Sequence, residues 1–209
     1  MGKRALGAQR SRVVQEAARI ICEDGLADYR LAKQKAVERL GLGFGTPLPS
    51  NADIQSAVIQ YQRLFGGRAY AARLTHLRRT AVQAMRRLKD YQPRLVGAVA
   101  TGATTDAHKV QLHCFADKPE QIDMLLADGG LPFEVTERRY RLSSGESLDV
   151  PVLTFMAGDV GVDVAVFPER GLREAPLSPT DGQPMKRLEL SAVEQLAAET
   201  PEVLVSSRA

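Results

Sequence analysis

The sequence predicts an α+β protein in which a helical N-terminal region packs on a mixed β-sheet with flanking helices. Three observations lead there. Apolar residues recur at helical spacing as far as Tyr91, short runs rich in Val, Leu and Phe take over after Pro93, and Gly or Pro marks each change of period. With 209 residues, 44% of them hydrophobic and 25% charged, the chain can bury a real core and is too apolar to be disordered throughout.

The first helix is predicted by Val14, Ala17, Ala18 and Ile21, which share one face and lead to Gly25 as a stop. A second runs from Asp28, an N-cap by residue type, to Leu40, with Gly41 as its end. After the breaker GLGFGTPLPSN, Ser50 or Asn51 caps a third, built on Ile54, Ala57, Val58 and Tyr61 and closed by Gly66-Gly67. The fourth spans Arg68 to Tyr91. Its Leu74, Leu77, Ala81, Met85 and Leu88 form one apolar stripe, with Arg79, Gln83, Arg86 and Arg87 on the far side.

Beyond Pro93, five runs read as strands: RLVGAVA, KVQLHCF, FEVTERRYRL, DVPVLTF and VDVAVF. One helix, opening at Asp117-Lys118-Pro119-Glu120, crosses between the second and third. AGDVG is a hairpin turn, REAPLSPTDGQP a surface loop, and Ser191 with Glu194 a capping box for a last helix to Glu199. The division predicts a helical, basic region over residues 1–94 and an α+β domain over 95–209.

Charge follows the same division. Residues 1–96 carry 18 Lys+Arg against 7 Asp+Glu, and residues 97–209 carry 10 against 18, so a net +3 conceals halves of +11 and −8. A basic half suits a polyanionic partner, or attraction to the acidic half. No run is long and apolar enough for a bilayer span and the N-terminus lacks a signal-peptide core, so a cytoplasmic protein without a membrane partner is expected. Cys22 and Cys114 suggest buried small hydrophobes rather than a disulfide framework, and three His without Cys/His clusters give no zinc site. GLGFG follows a helix and lacks the Lys-Ser/Thr of a P-loop, so it reads as a linker.

Two resemblances add functional expectations. AARIICEDGLADYRLAKQKAVERLGL is similar to the opening of helix-turn-helix repressors of the tetracycline-repressor type, although a Gly/Pro linker stands where a recognition helix should follow Gly41. The more specific one lies in residues 95–115, LVGAVATGATTDAHKVQLHCF, where a strand runs into a glycine turn and a second strand follows a loop. This segment resembles the core of the nucleotidyltransferase superfamily, whose signature is a hydrophobic residue, Gly and Gly or Ser, then Asp-x-Asp on the next strand. Gly97-Ala98 stands for Gly-Ser, Gly102 for the family's second glycine, and Lys109-Val110-Gln111-Leu112 for Asp-x-Asp-Leu. The order of segments over most of the chain is similar to that of a little-characterised group of bacterial nucleotidyltransferase-like proteins.

The resemblance implies transfer of a nucleoside monophosphate from an NTP to a protein, RNA or small acceptor, with Mg²⁺ or Mn²⁺ held by carboxylates and the glycine turn close to the phosphates. Here the spacing is kept and the chemistry is not, since Lys109 has no lone pair to offer a metal and Gln111 only a neutral carbonyl. Asp163, on a later strand, is the one acid in a family position and hence the candidate catalytic residue and metal ligand. Gly97, Ala98, Gly102, Lys109, Gln111 and His113 are the candidate nucleotide-binding residues. Lys109, Gln111 and His113 alternate onto one strand face, either a remodelled anion site or a solvated surface. Asp106 and His108 could substitute as ligands only after a three-residue slip. The expectation is therefore a nucleotidyltransferase-like protein, active or degenerate and noncatalytic. The alternative is a nucleic-acid-binding module or helix-turn-helix-type regulator using Arg79, Arg86 and Arg87. An NTP and RNA or DNA are the implied partners, and the oligomeric state stays open.

Overall fold

The computed structural model describes residues 2–43, 45–199 and 201. The protein is α+β: α1 (Gly2–Glu23), α2 (Tyr29–Arg39), α3 (Asn51–Phe65) and α4 (Gly67–Arg87) precede a five-stranded mixed sheet of β1 (Arg94–Val96), β2 (Val110–Phe115), β3 (Phe133–Arg141), β4 (Ser147–Ala157) and β5 (Val160–Phe167). Between strands lie a single helical turn, α5 (Gly97–Thr101), and α6 (Glu120–Asp128); α7 (Leu190–Ala198) follows the sheet. Phe44, in the GLGFG stretch, lies outside the described residues.

The helix starts follow their caps. Asp28 Oδ1 accepts from the backbone N–H groups of Arg30 and Leu31 at 2.8 and 3.1 Å, satisfying donors that the first turn of α2 leaves open. Ser50 and Asp53 form a reciprocal capping box on α3. Other expectations are corrected. α4 ends at Arg87 and a 3-10 turn covers Lys89–Tyr91, because Gln92 takes φ +46 and reverses the chain before Pro93. The first strand stops at Val96, since Gly97 enters the left-handed region (φ +73) and GAVAT winds into α5. α7 has Glu189 rather than a side-chain box at its start. The Asp117 carboxylate accepts from the Glu169 N–H instead of capping α6.

The strand order is β1-β2-β5-β4-β3, with β2 and β5 parallel and every other pair antiparallel. Side chains alternate across this sheet. One face turns Val110, Leu112, Cys114, Val162, Val164 and Leu153 into the main core against Leu77, Ala81, Met85 and Leu88 of α4, Ile122 and Leu126 of α6, and Val193 of α7. The predicted stripe of α4 is thus the one that covers the sheet. A second core joins α1, α2 and α3 through small residues, among them Ala17, Ala18, Ala32, Ala36 and Ala57, and takes in Ala103 from the loop after α5. That loop is fastened to the helices where Gln62 Nε2 donates to Thr104 O at 3.0 Å and the Tyr70 hydroxyl to Gly102 O at 2.8 Å.

The edges of the sheet differ. β1 is closed by Leu188, which exchanges two 2.9 Å backbone hydrogen bonds with Leu95. β3 pairs with β4 alone and is exposed along most of its length. No helix among the described residues is long and apolar enough to cross a membrane.

Candidate functional site

The other face of the sheet is polar at its centre. Gln111 of β2 and Thr154 of β4 lie opposite Asp163 of β5 from either side. Lys109, one residue before β2, and His113, two beyond Gln111, continue the same row, so the predicted polar row and Asp163 share a face. Asp163 is 7% exposed. A carboxylate so buried must be paired, and it is: Thr154 Oγ1 donates to it at 3.0 Å, Arg138 Nη2 at 3.2 Å and Lys109 Nζ at 3.5 Å. Lys109 reaches Asp163 because its stem crosses β5 at Gly161, where a Cβ would sit 3.0 Å from its Cγ. Burial works against the Arg138 charge, but Tyr140 and Asp163 outweigh it and hold the guanidinium above its ordinary pKa.

The glycine turn borders this cluster. The positive φ of Gly97 favours glycine, and a Cβ there would displace the Gln111 side chain, whose Oε1 it would meet. Ala98 follows in α5, and its carbonyl accepts from the Gly102 N–H at 2.8 Å. Gly102 (φ +87) closes the far end of α5 against Tyr70, which sets it apart from the Lys109–Gln111–Asp163 row.

A cavity of about 550 Å³ opens beside the row, lined by Gln111, His113, Arg138, Tyr140, Asp163 and Met185 among others. Its far wall is the returning loop, anchored by Arg187. The Arg187 guanidinium lies over the Phe115 and Phe167 rings, 5.0 and 5.1 Å from their centroids, and donates to Gly171 O at 2.7 Å. Its Nε donates to His113 Nδ1 at 3.1 Å, which fixes the neutral imidazole with its proton on Nε2. Burial first, then the charges of Arg187 and Arg138, pull the His113 pKa down to about 3. Burial likewise lowers Arg187 to about 10, with Arg94 adding to the shift. His113 Nε2 and Arg187 Nη2 are buried without a hydrogen-bond partner among the described residues.

The remaining candidates lie elsewhere. Arg79, Arg86 and Arg87 are exposed on α4, beyond the opposite face of the sheet, and are not brought together with Asp163. Arg86 is paired with Glu194 of α7 at 2.8 Å, and the Arg87 guanidinium lies against Gly129. Residues 40–50 separate α2 from α3, far more than the three- or four-residue turn of a helix-turn-helix. Cys114 is buried in the main core and Cys22 half-buried; burial raises both thiols, Cys22 to about 12, so neither is poised as a nucleophile.

The side chains do not fit the divalent metal that the superfamily resemblance implies. Both oxygens of Asp163 already receive cationic donors, and Lys109 brings an ammonium where a ligand should stand. His108 is committed to its own turn, its Nδ1 accepting from the Thr105 N–H at 2.9 Å. Among the described residues no three His, Cys, Asp or Glu side chains group as a metal site. Arg138, Thr154, Gly161 and Arg187 are the site residues that the sequence reading missed. The alternation of Arg138 and Tyr140 along FEVTERRYRL was a usable signal for the first; pairing register and loop return, which place the others, have no local signature. The chain matches no family model, no curated protein and no solved structure.

Proposed function

We propose that the chain is a nucleotidyltransferase-like protein that binds a nucleotide on the polar face of its sheet and does not transfer it. The observation that carries this reading is the convergence of three motif positions. The left-handed glycine after β1, the polar residue of β2 and the acid of β5 meet at Gly97, Gln111 and Asp163, while the acids that would make the site a metal centre are replaced. The adjoining cavity has the size of a small-molecule site and combines cations with an aromatic and apolar wall of Tyr140, Leu177 and Met185.

The test is incubation of the purified chain with each α-labelled NTP, Mg²⁺ or Mn²⁺, and RNA or cell extract, with bound nucleotide measured in parallel by equilibrium dialysis. The reading expects no covalent label, and nucleotide retention that falls sharply in Gly97→Val. Label lost in Asp163→Ala would instead establish a transferase. A second surface is supported by Arg79 and Arg87, exposed and without ion-pair partners among the described residues, on the basic half of the chain. RNA or DNA bound there weakens steeply with salt and is indifferent to Gly97→Val.

A further inference from the structure

We infer that the site holds the phosphate of its ligand without a divalent cation, Lys109 and Arg138 standing in the metal's place and Asp163 acting as the internal counter-ion that the phosphate partly displaces. This rests on the nucleotide-binding reading above and specifies its chemistry. Lys109 Nζ and Arg138 Nη2 lie 3.5 and 3.2 Å from the two oxygens of one buried carboxylate. A divalent ion on that carboxylate would have to enter against both positive charges, with only the neutral oxygens of Thr154 and Gln111 as further ligands. An anion meets the opposite situation, since two cations share a single acid and each keeps donors to spare.

The cavity beside them has the same bias. Arg187, half-buried behind the cavity wall, has no carboxylate partner among the described residues, and its buried Nη2 has no hydrogen-bond partner among them either. His113, 1% exposed, is among the residues lining the cavity, and its buried Nε2–H finds no acceptor among the described residues. Both nitrogens are closed off from solvent, so they bias the cavity toward an anion by charge and N–H dipole rather than by direct contact. A phosphate ester supplies the negative charge and three acceptor oxygens for the spare donors of Lys109 and Arg138. Inorganic pyrophosphate and a nucleotide share this chemistry and differ in what they place against Tyr140 and Met185.

Binding of ATP, GTP, CTP, UTP and pyrophosphate to the full chain is to be measured by calorimetry in EDTA and again in Mg²⁺. The expected result is nucleotide binding that survives EDTA, weakens about tenfold in Lys109→Gln through loss of one charge-assisted hydrogen bond, and tightens several-fold in Asp163→Asn, where the competing carboxylate charge is gone. Lys109 has a half-exposed side chain, so its variant tests the idea even where Asp163→Asn fails to fold. Binding that needs Mg²⁺ and disappears in Asp163→Asn would overturn the metal-free site and leave the nucleotide-binding reading standing. Pyrophosphate bound in EDTA as tightly as every nucleotide would support the metal-free site and overturn nucleotide recognition. No binding of any of these by the folded chain, in either buffer, would overturn both.

Discussion

The two faces of the sheet are built from the same strands and do opposite work. On one, Leu112, Leu153, Val162 and Val164 are buried beneath α4, α6 and α7, and each such side chain contributes about 1.5–3 kcal/mol relative to leaving it in water. On the other, the residues next to them in sequence, Gln111, Thr154 and Asp163, meet in a cluster of charges beside a cavity. Alternation therefore separates the core from the polar cluster at single-residue resolution. Lys109, Gln111 and Asp163 can differ in chemistry from their neighbours without disturbing Val110, Leu112 or Val162.

The largest effect that tests this contrast belongs to the apolar face. Leu153→Ala should lose about 3 kcal/mol of unfolding free energy in a urea titration, the range for a large-to-small change in a packed core. A loss below about 1 kcal/mol would show that this face is less tightly packed than its burial indicates.

The polar face should reveal itself through pH. His113 is held near pKa 3 in the fold against an ordinary 6.5, so between those values the unfolded chain binds the additional proton and stability falls as pH drops. One such group contributes a slope of at most about 1.4 kcal/mol per pH unit. His108, lowered by burial, acts in the same direction just below 6.5; the lowered carboxylates Glu16, Asp53, Asp149 and Asp159 contribute only below their ordinary range, and Asp123, raised by burial, acts in the opposite direction just above it. The difference between the wild type and His113→Gln from pH 6.5 to 4.5 isolates His113. Equal slopes in the two proteins would mean that its ring is accessible to water.

The smallest effect is expected outside the sheet. Arg86→Ala breaks an exposed pair with Glu194 and should leave the melting curve unchanged, because exposed ion pairs add little. If Arg86 serves a polyanion, the same change lowers retention of RNA or DNA at low salt. A lowered melting temperature would make Arg86 part of the fastening between α4 and α7 instead.

How much of this could be read in the chain depended on whether the cause was local. Asp28 and Ser50 announce their helices because a cap acts on the next three residues. The stripe of α4 and the alternation of KVQLHCF and VDVAVF set which face each side chain takes, and with it the row of Lys109, Gln111 and His113. Gly97 was legible as a turn, but not that the strand before it would be three residues long. Arg138 reaches Asp163 only through the order β5-β4-β3, in which β4 lies between the two, and Arg187 reaches His113 from 74 positions away in sequence. Pairings of that kind are set by the whole fold, and the residues themselves carry no mark of them.

The free edge of the sheet gives the ion pair on Asp163 an unequal footing. β5 is hydrogen-bonded on both sides, whereas β3 pairs with β4 alone among the described strands, gains one further bond at its last residue, where the Leu177 N–H donates to Arg141 O at 2.7 Å, and lies open to solvent along most of its length. Edge strands fray at far lower free energy than central ones, so the amides around Arg138 should exchange with deuterium long before those around Asp163. The pair thus spans a seam between a fast part of the molecule and a slow one. The tempo at which Arg138 releases the carboxylate is set by strand order as much as by charge.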